Sequence, residues 1–131
     1  MEKKLKHLEM LQAVIVRMGN NSFLLKGWSV TLVSALFAIA LQDKVKVFVA
    51  LAYFPAFIFW ALDGFYLWQE RLFRVLYDHV RGLKENQIDF SMDVRRIDSS
   101  KVTWSRAMFT DITLLFHVAI LAAISIILIV F

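Results

Sequence analysis

The chain has 131 residues, 60% of them apolar and 15% aromatic, with a mean hydropathy of +0.63. Soluble domains are about 45–50% apolar, and a domain this short buries only roughly two-thirds of its surface, so lipid is the natural solvent for the excess. The absence of cysteine excludes a disulfide framework and thiolate metal sites, and the net charge of +4 matters less than where the charges fall.

The first element is an amphipathic helix over residues 1–21. Leu5, Leu8, Leu11, Ile15 and Met18 recur at spacings of three and four, with Lys3, Lys6, His7, Gln12 and Arg17 largely off that stripe. Two readings are open: the stripe packs on neighbouring helices, or it lies on an inner membrane surface with its lysines near anionic headgroups. Gly19, Asn20 and Asn21 are expected to end it, and Ser22 to cap the next helix. No short apolar core with a small-residue cleavage site follows the charged Met1–Lys6 promptly, so no cleavable leader is expected.

Residues 22–41 form the first expected span, about the 20 residues that a helix needs to cross hydrocarbon. Gln42 to Lys46 make a polar turn. A second span covers 47–68, with Pro55 inside it removing one backbone hydrogen bond and placed to kink it. No helix breaker separates this span from Gln69–Arg81, so one long helix is expected to leave the membrane and continue to residue 81. A cytoplasmic segment over 82–107 precedes a third span at 110–131, whose helix could begin as early as Ser100. The fold class expected is thus an all-α membrane protein in one membrane domain, 1–131.

Basic residues set the expected orientation. Segments 1–21 and 69–107 carry twelve Lys and Arg residues, against Lys44 and Lys46 in the 42–46 turn. By the positive-inside rule the N-terminus and 69–107 face the cytoplasm and the C-terminus faces outward. Trp28, Tyr66, Trp68 and Trp104 gather toward the inner boundary, as interfacial aromatics do.

Within 87–97, Ile88, Phe90, Met92 and Val94 alternate with Asp89, Ser91, Asp93 and Arg95. A period of two is a strand signature, and a lone strand must pair with another copy or a partner protein. The other reading is an extended loop whose apolar side chains dock on the helix ends.

Ionisable groups inside a span require a partner or a task. Lys26 lies about one turn into the first span and Asp63 one to two turns from the inner end of the second, so an antiparallel hairpin puts them at similar depth as an ion pair. Alternatively Lys26 snorkels to the headgroups, leaving Asp63 for the third span, a neighbouring subunit or an aqueous path. His117, with Thr113 one turn before it on the same face, reads as a packing residue, a proton binder or a pore-lining group. The scattered His7, His79 and His117 offer no metal-ligand spacing. Gly27, Thr31 and Ala35 repeat every four positions, as do Ala119 and Ala123, a pattern that permits close helix contact in lipid. On the helix after the second span, Glu70, Arg74 and Asp78 form an i,i+4 series, and Arg71, Arg74 and Arg81 are candidate contacts for lipid or nucleotide phosphates. Motifs for nucleophilic, zinc or phosphate-loop catalysis are absent, so neither an enzyme nor a cofactor is expected, and nothing in the chain points to nucleic acid.

Met10–Arg17, Asn20–Phe23, Leu25–Trp28, Leu62–Gly64, Gln69–Phe73 and Ile88–Met92 together resemble a family of short bacterial multi-span membrane proteins associated with antiphage defence. Those proteins are similar in plan to small transmembrane effectors linked to TIR-like signalling, although this chain has three expected spans where four are common. The resemblance implies a homo-oligomer in the bacterial inner membrane that perturbs the bilayer once a cytoplasmic signal arrives; it supplies no catalytic or binding residues. The expectations for function are therefore an oligomeric effector or channel, a membrane anchor that recruits a cytosolic signalling partner, or a small transporter or proton-pathway subunit.

Overall fold

The computed structural model describes residues 1–131, and its regular structure is entirely helical. Helix α1 covers Glu2–Asp43, α2 Val47–Leu51, α3 Tyr53–Arg81, α4 Trp104–Met108 and α5 Asp111–Val130. Short 3-10 turns occupy Glu85–Gln87 and Val94–Arg96. Helix α1, the α2–α3 pair and α5 are each long and apolar enough to cross a membrane.

The expected break at Gly19–Asn21 does not occur. Helix α1 runs unbroken for 42 residues, and residues 1–21 are not a separate surface helix. Gly and Asn each disfavour a helix by only about 0.5–1 kcal/mol, and tertiary packing along α3 outweighs that. The buried positions on α1 are His7, Leu11, Ile15, Ser22, Ser29, Val33 and Ala40. Their four- and seven-residue steps describe a continuous seam of coiled-coil type. The seam is rotated from the expected stripe: Leu5 is 60% exposed, whereas His7 is enclosed.

At the far end Lys44 takes the left-handed conformation (φ 55°) and the Val45 amide donates back to Ala40 O at 3.2 Å, closing α1 with a Schellman turn. The return helix is interrupted at Ala52, three residues before Pro55. Pro55 has no amide to bond the preceding turn, so α2 and α3 form two segments there. Beyond it α3 continues to Arg81 as expected.

Helix α3 is the centre of the molecule, with α1 antiparallel along it and α4 and α5 against it. One apolar cluster lies near the 42–46 turn, where Val33 and Ala40 meet Val49, Ala52, Ala56 and Ile124. A second lies at the opposite tip, where Leu11 meets Leu76 and Val80. Between them Gly64 lets α4 approach: a Cβ there would lie 3.2 Å from the Met108 Cα and closer still to its side chain. Short α4 is a distinct helix, so the third span does not extend back to Ser100; Phe109 and Thr110 separate it from α5. It is fastened by Trp60 Nε1 donating to Met108 O (2.9 Å) and Trp104 Nε1 donating to Ala61 O (2.9 Å), while the Trp68 and Trp104 rings stack at 6.3 Å.

The 87–97 segment forms no strand in this chain. Its alternation breaks at Phe90, whose left-handed backbone (φ 56°) reverses the chain. Ile88, Met92 and Val94 pack with Ile97 on the Leu11–Leu76–Val80 cluster, so their apolar demand is met by docking rather than by pairing. The Asp89, Ser91 and Asp93 side chains each accept from the amide two residues ahead, which holds turns and not an extended ladder. This strap is also joined to the start of α1. Glu85 accepts from the Lys3 amide (2.7 Å) and the Lys4 amide (3.2 Å) and lies 2.6 Å from the Met1 ammonium. It thus serves as a helix cap donated from more than eighty positions away.

Two outcomes follow. Gly64→Ala is expected to lower stability by about 1–3 kcal/mol through overpacking against Met108, read as a drop in thermal midpoint in detergent that Met108→Ala partly reverses. The Met1 ammonium, with the two amides, holds the Glu85 carboxyl below the usual carboxylate range. Its contribution is then complete above that range and disappears as pH falls through the depressed value. Hydrogen exchange at Lys3 and Lys4, corrected for intrinsic rate, should show loss of protection in strong acid and, at neutral pH, in Glu85→Ala.

Candidate functional site

The polar groups expected within the spans are Lys26, Asp63, His117 and Thr113, and the structure brings the first three together. Asp63 on α3 is fully enclosed. Its Oδ2 accepts from Lys26 Nζ of α1 at 2.6 Å and lies 2.7 Å from His117 Nε2 of α5. Its Oδ1 accepts from the Ser22 hydroxyl, and Lys26 Nζ also donates to Ser22 Oγ at 3.1 Å. One carboxylate therefore ties together all three long helices.

Each partner arrives by simple helical register. Ser22 and Lys26 are four apart and share the α1 seam; antiparallel pairing sets that turn beside Asp63. His117 lies six residues into α5, deep enough to reach the same level. A carboxylate paired with the Lys26 ammonium at 2.6 Å can only accept, so His117 Nε2 carries a proton and donates it. With the imidazole neutral, Nδ1 holds a lone pair, and that atom is buried without a partner. The ring is clamped by Trp60, stacked at 5.9 Å, and by Phe116 edge-on at 5.1 Å. Thr113 is buried on the same helix face, and Ser29 Oγ, one level along α1, is a second enclosed atom without a bond. The Lys26 side chain alone reaches outward, being 17% exposed.

The remaining sequence candidates fall elsewhere. Gly27, Thr31 and Ala35 lie on the outward side of α1, with open space beside Gly27 and the Thr31 hydroxyl turned back to Gly27 O. Arg71 donates to the Thr110 hydroxyl (2.7 Å), Arg74 to Glu70 (2.8 Å), and Arg81 is 3.5 Å from Asp78. All three are thus engaged inside the chain. At the tip, a cavity of 240 Å³ is lined partly by His7, His79, Asp89, Asp93 and Arg96. His7 Nε2 donates to Ser91 O at 2.8 Å, so its enclosed Nδ1 is likewise a free acceptor. The Ser91 amide and then Arg96 hold Asp89 below the usual carboxylate range, and Arg95 does the same for Asp93.

Sequence reasoning assigned Ser22 to a cap and His7 to the polar side. The i,i+4 spacing of Ser22 and Lys26 carried the first signal; nothing local marked the second, because Ser91 is brought to His7 by the strap. No protein-family model, curated protein or solved structure matches this chain.

Removing one partner from a buried ion pair strands the other charge, at about 3–5 kcal/mol. Asp63→Leu alone should therefore destabilise the bundle by roughly that amount. Lys26→Met combined with Asp63→Leu should recover most of it, because no unpaired charge remains. Thermal unfolding of the three proteins in one detergent measures the difference.

Proposed function

We propose that this chain is an oligomeric effector of the bacterial inner membrane, held at rest by the Asp63 cluster and released by a signal at its cytoplasmic tip. The observation that carries this reading is the continuity of α1. A single helix bears His7, Leu11 and Ile15 against the tip and, further along, Ser22 and Lys26 on Asp63. At about 1.5 Å per residue it is roughly 63 Å long, about twice the hydrocarbon thickness, so displacement of the strap is passed directly to the ionic cluster. The distribution of basic residues supports a cytoplasmic tip. The outward Gly27–Thr31–Ala35 face offers a close-packing surface for further copies. The resemblance to multi-span defence proteins supports a role in antiphage response. The reading includes no catalysis and no cofactor.

A second reading, an anchor for a cytosolic signalling protein, is favoured by a different observation: Asp63 and His117 are used up within one chain, which leaves no polar path through it. In that case the tip, with Phe90 38% exposed, is the working part.

A potential-sensitive dye in expressing bacteria separates the two. An effector should depolarise cells in a dose-dependent way, and Asp63→Asn, which weakens the hold on Lys26 and His117, should do so at several-fold lower membrane content. An anchor should leave the potential unchanged in both proteins and lose a co-purifying partner on Phe90→Asp. Unchanged potential at equal membrane content would reject the effector reading.

A further inference from the structure

In the cluster a lysine and a histidine face one carboxylate. With the imidazole neutral and donating through Nε2, the Lys26 ammonium and the Asp63 carboxylate balance. The free Nδ1 of His117 is the nitrogen in the cluster with an unused lone pair, whereas both oxygens of Asp63 already accept hydrogen bonds. A proton there leaves two cations and one anion in a space of low polarity, which that space does not tolerate. One cation must leave. His117 cannot, because Trp60 and Phe116 pack against both its face and its edge and it is 1% exposed. Lys26 can: its side chain is already partly exposed, its stem is flexible, and it is one turn from the start of the span.

The geometry points to a proton-binding site at His117 Nδ1 whose occupancy expels Lys26 from Asp63. One proton is taken up by the imidazole, the His117 imidazolium and Asp63 carboxylate remain as a neutral pair, and the Lys26 ammonium moves to the headgroup level. No other charged group answers the new charge. On α1 only Lys26 faces the ring, and on α3 only Asp63; on α4 Arg106 donates to Lys101 O (2.9 Å), and Arg71 of α3 is turned to Thr110. The exchange leaves α3 and α5 joined by an ion pair and α1 attached to Asp63 through Ser22 alone. Helix α1 is therefore the element whose hold on α3 weakens. This inference rests on the reading of the Asp63 cluster as a releasable hold and names the proton as the species that releases it.

The chain lacks cysteine, so spin labels at Leu24→Cys and Leu62→Cys, both on exposed sites, report the α1–α3 separation in the full chain in liposomes. Imidazole nitrogen-15 spectra follow protonation, the His117 signal being the one that vanishes in His117→Gln. As pH is lowered through the range in which imidazole charge generally changes, about 8 to 5, the His117 signal should convert to imidazolium. A longer label separation should appear over the same interval. Lys26→Met should lose the separation change, because no ammonium is left to expel, and should hold His117 as imidazolium across the range, because Asp63 then has no other cation; His117→Gln should lose both the nitrogen change and the separation change. A His117 signal that stays neutral overturns the inference, as does conversion without a change in separation, or a change that persists in Lys26→Met. Should His117→Gln fail to insert, Lys26→Met decides alone. These readouts are structural, so an exchange that proceeds without any ion leak would reject the effector reading and leave this one standing.

Discussion

Asp63 sits closed off from water among three apolar helices, where an ionised carboxylate without partners is destabilising by several kcal/mol. Its partners come from two helices, Ser22 and Lys26 on one side and His117 on the other. In lipid there is little hydrophobic force to bring helices together, so packing and polar contacts decide which surfaces meet. The carboxylate consequently selects the rotation of α1 and of α5 about their axes. It also makes α3 central, since both neighbours must reach it.

Small residues let the helices close around that point. Gly64, next to Asp63, admits α4 at a distance no side chain would allow, and Ala52 and Ala56 do the same toward the turn, beside Val33, Ala40 and Ile124. Tyr53 and Ser125 share a hydrogen bond of 2.6 Å near that end, a neutral counterpart to the ionic cluster. The two contacts, one at each depth, fix the α3–α5 register. The apolar side chains that remain outward, such as Phe23, Phe54, Leu115 and Ile129, face the hydrocarbon that a spanning helix requires.

Outside the bundle the same two helices continue as a stalk, and the strap covers its tip. The strap lacks regular structure of its own beyond two turns, so its shape is set by three attachments. Apolar docking on Leu11, Leu76 and Val80 supplies the contact area, Glu85 satisfies the amides that open α1, and the Ser91 carbonyl accepts a hydrogen bond from His7. All three involve α1. The tip and the membrane cluster are thereby held by the start and the middle of one helix, which is the structural basis for coupling between them.

Helical class and span number were legible in the chain because they follow from local quantities: long apolar runs, a proline at 55, a polar turn at 42–46. Depth was legible as well, since a count along two antiparallel helices sets Lys26 level with Asp63. The fate of Gly19–Asn21 and of the 87–97 alternation was not. Both local signals are weak, worth roughly 1 kcal/mol or less per residue, and each is overruled by burial against α3 that no short window contains. The roles of Ser22, His7 and Glu85 likewise depend on residues 41, 84 and more than 80 positions away. Composition and periodicity determined that this chain forms apolar helices; only the tertiary packing decided which faces meet, because a buried charge is satisfied by whatever the fold brings to it.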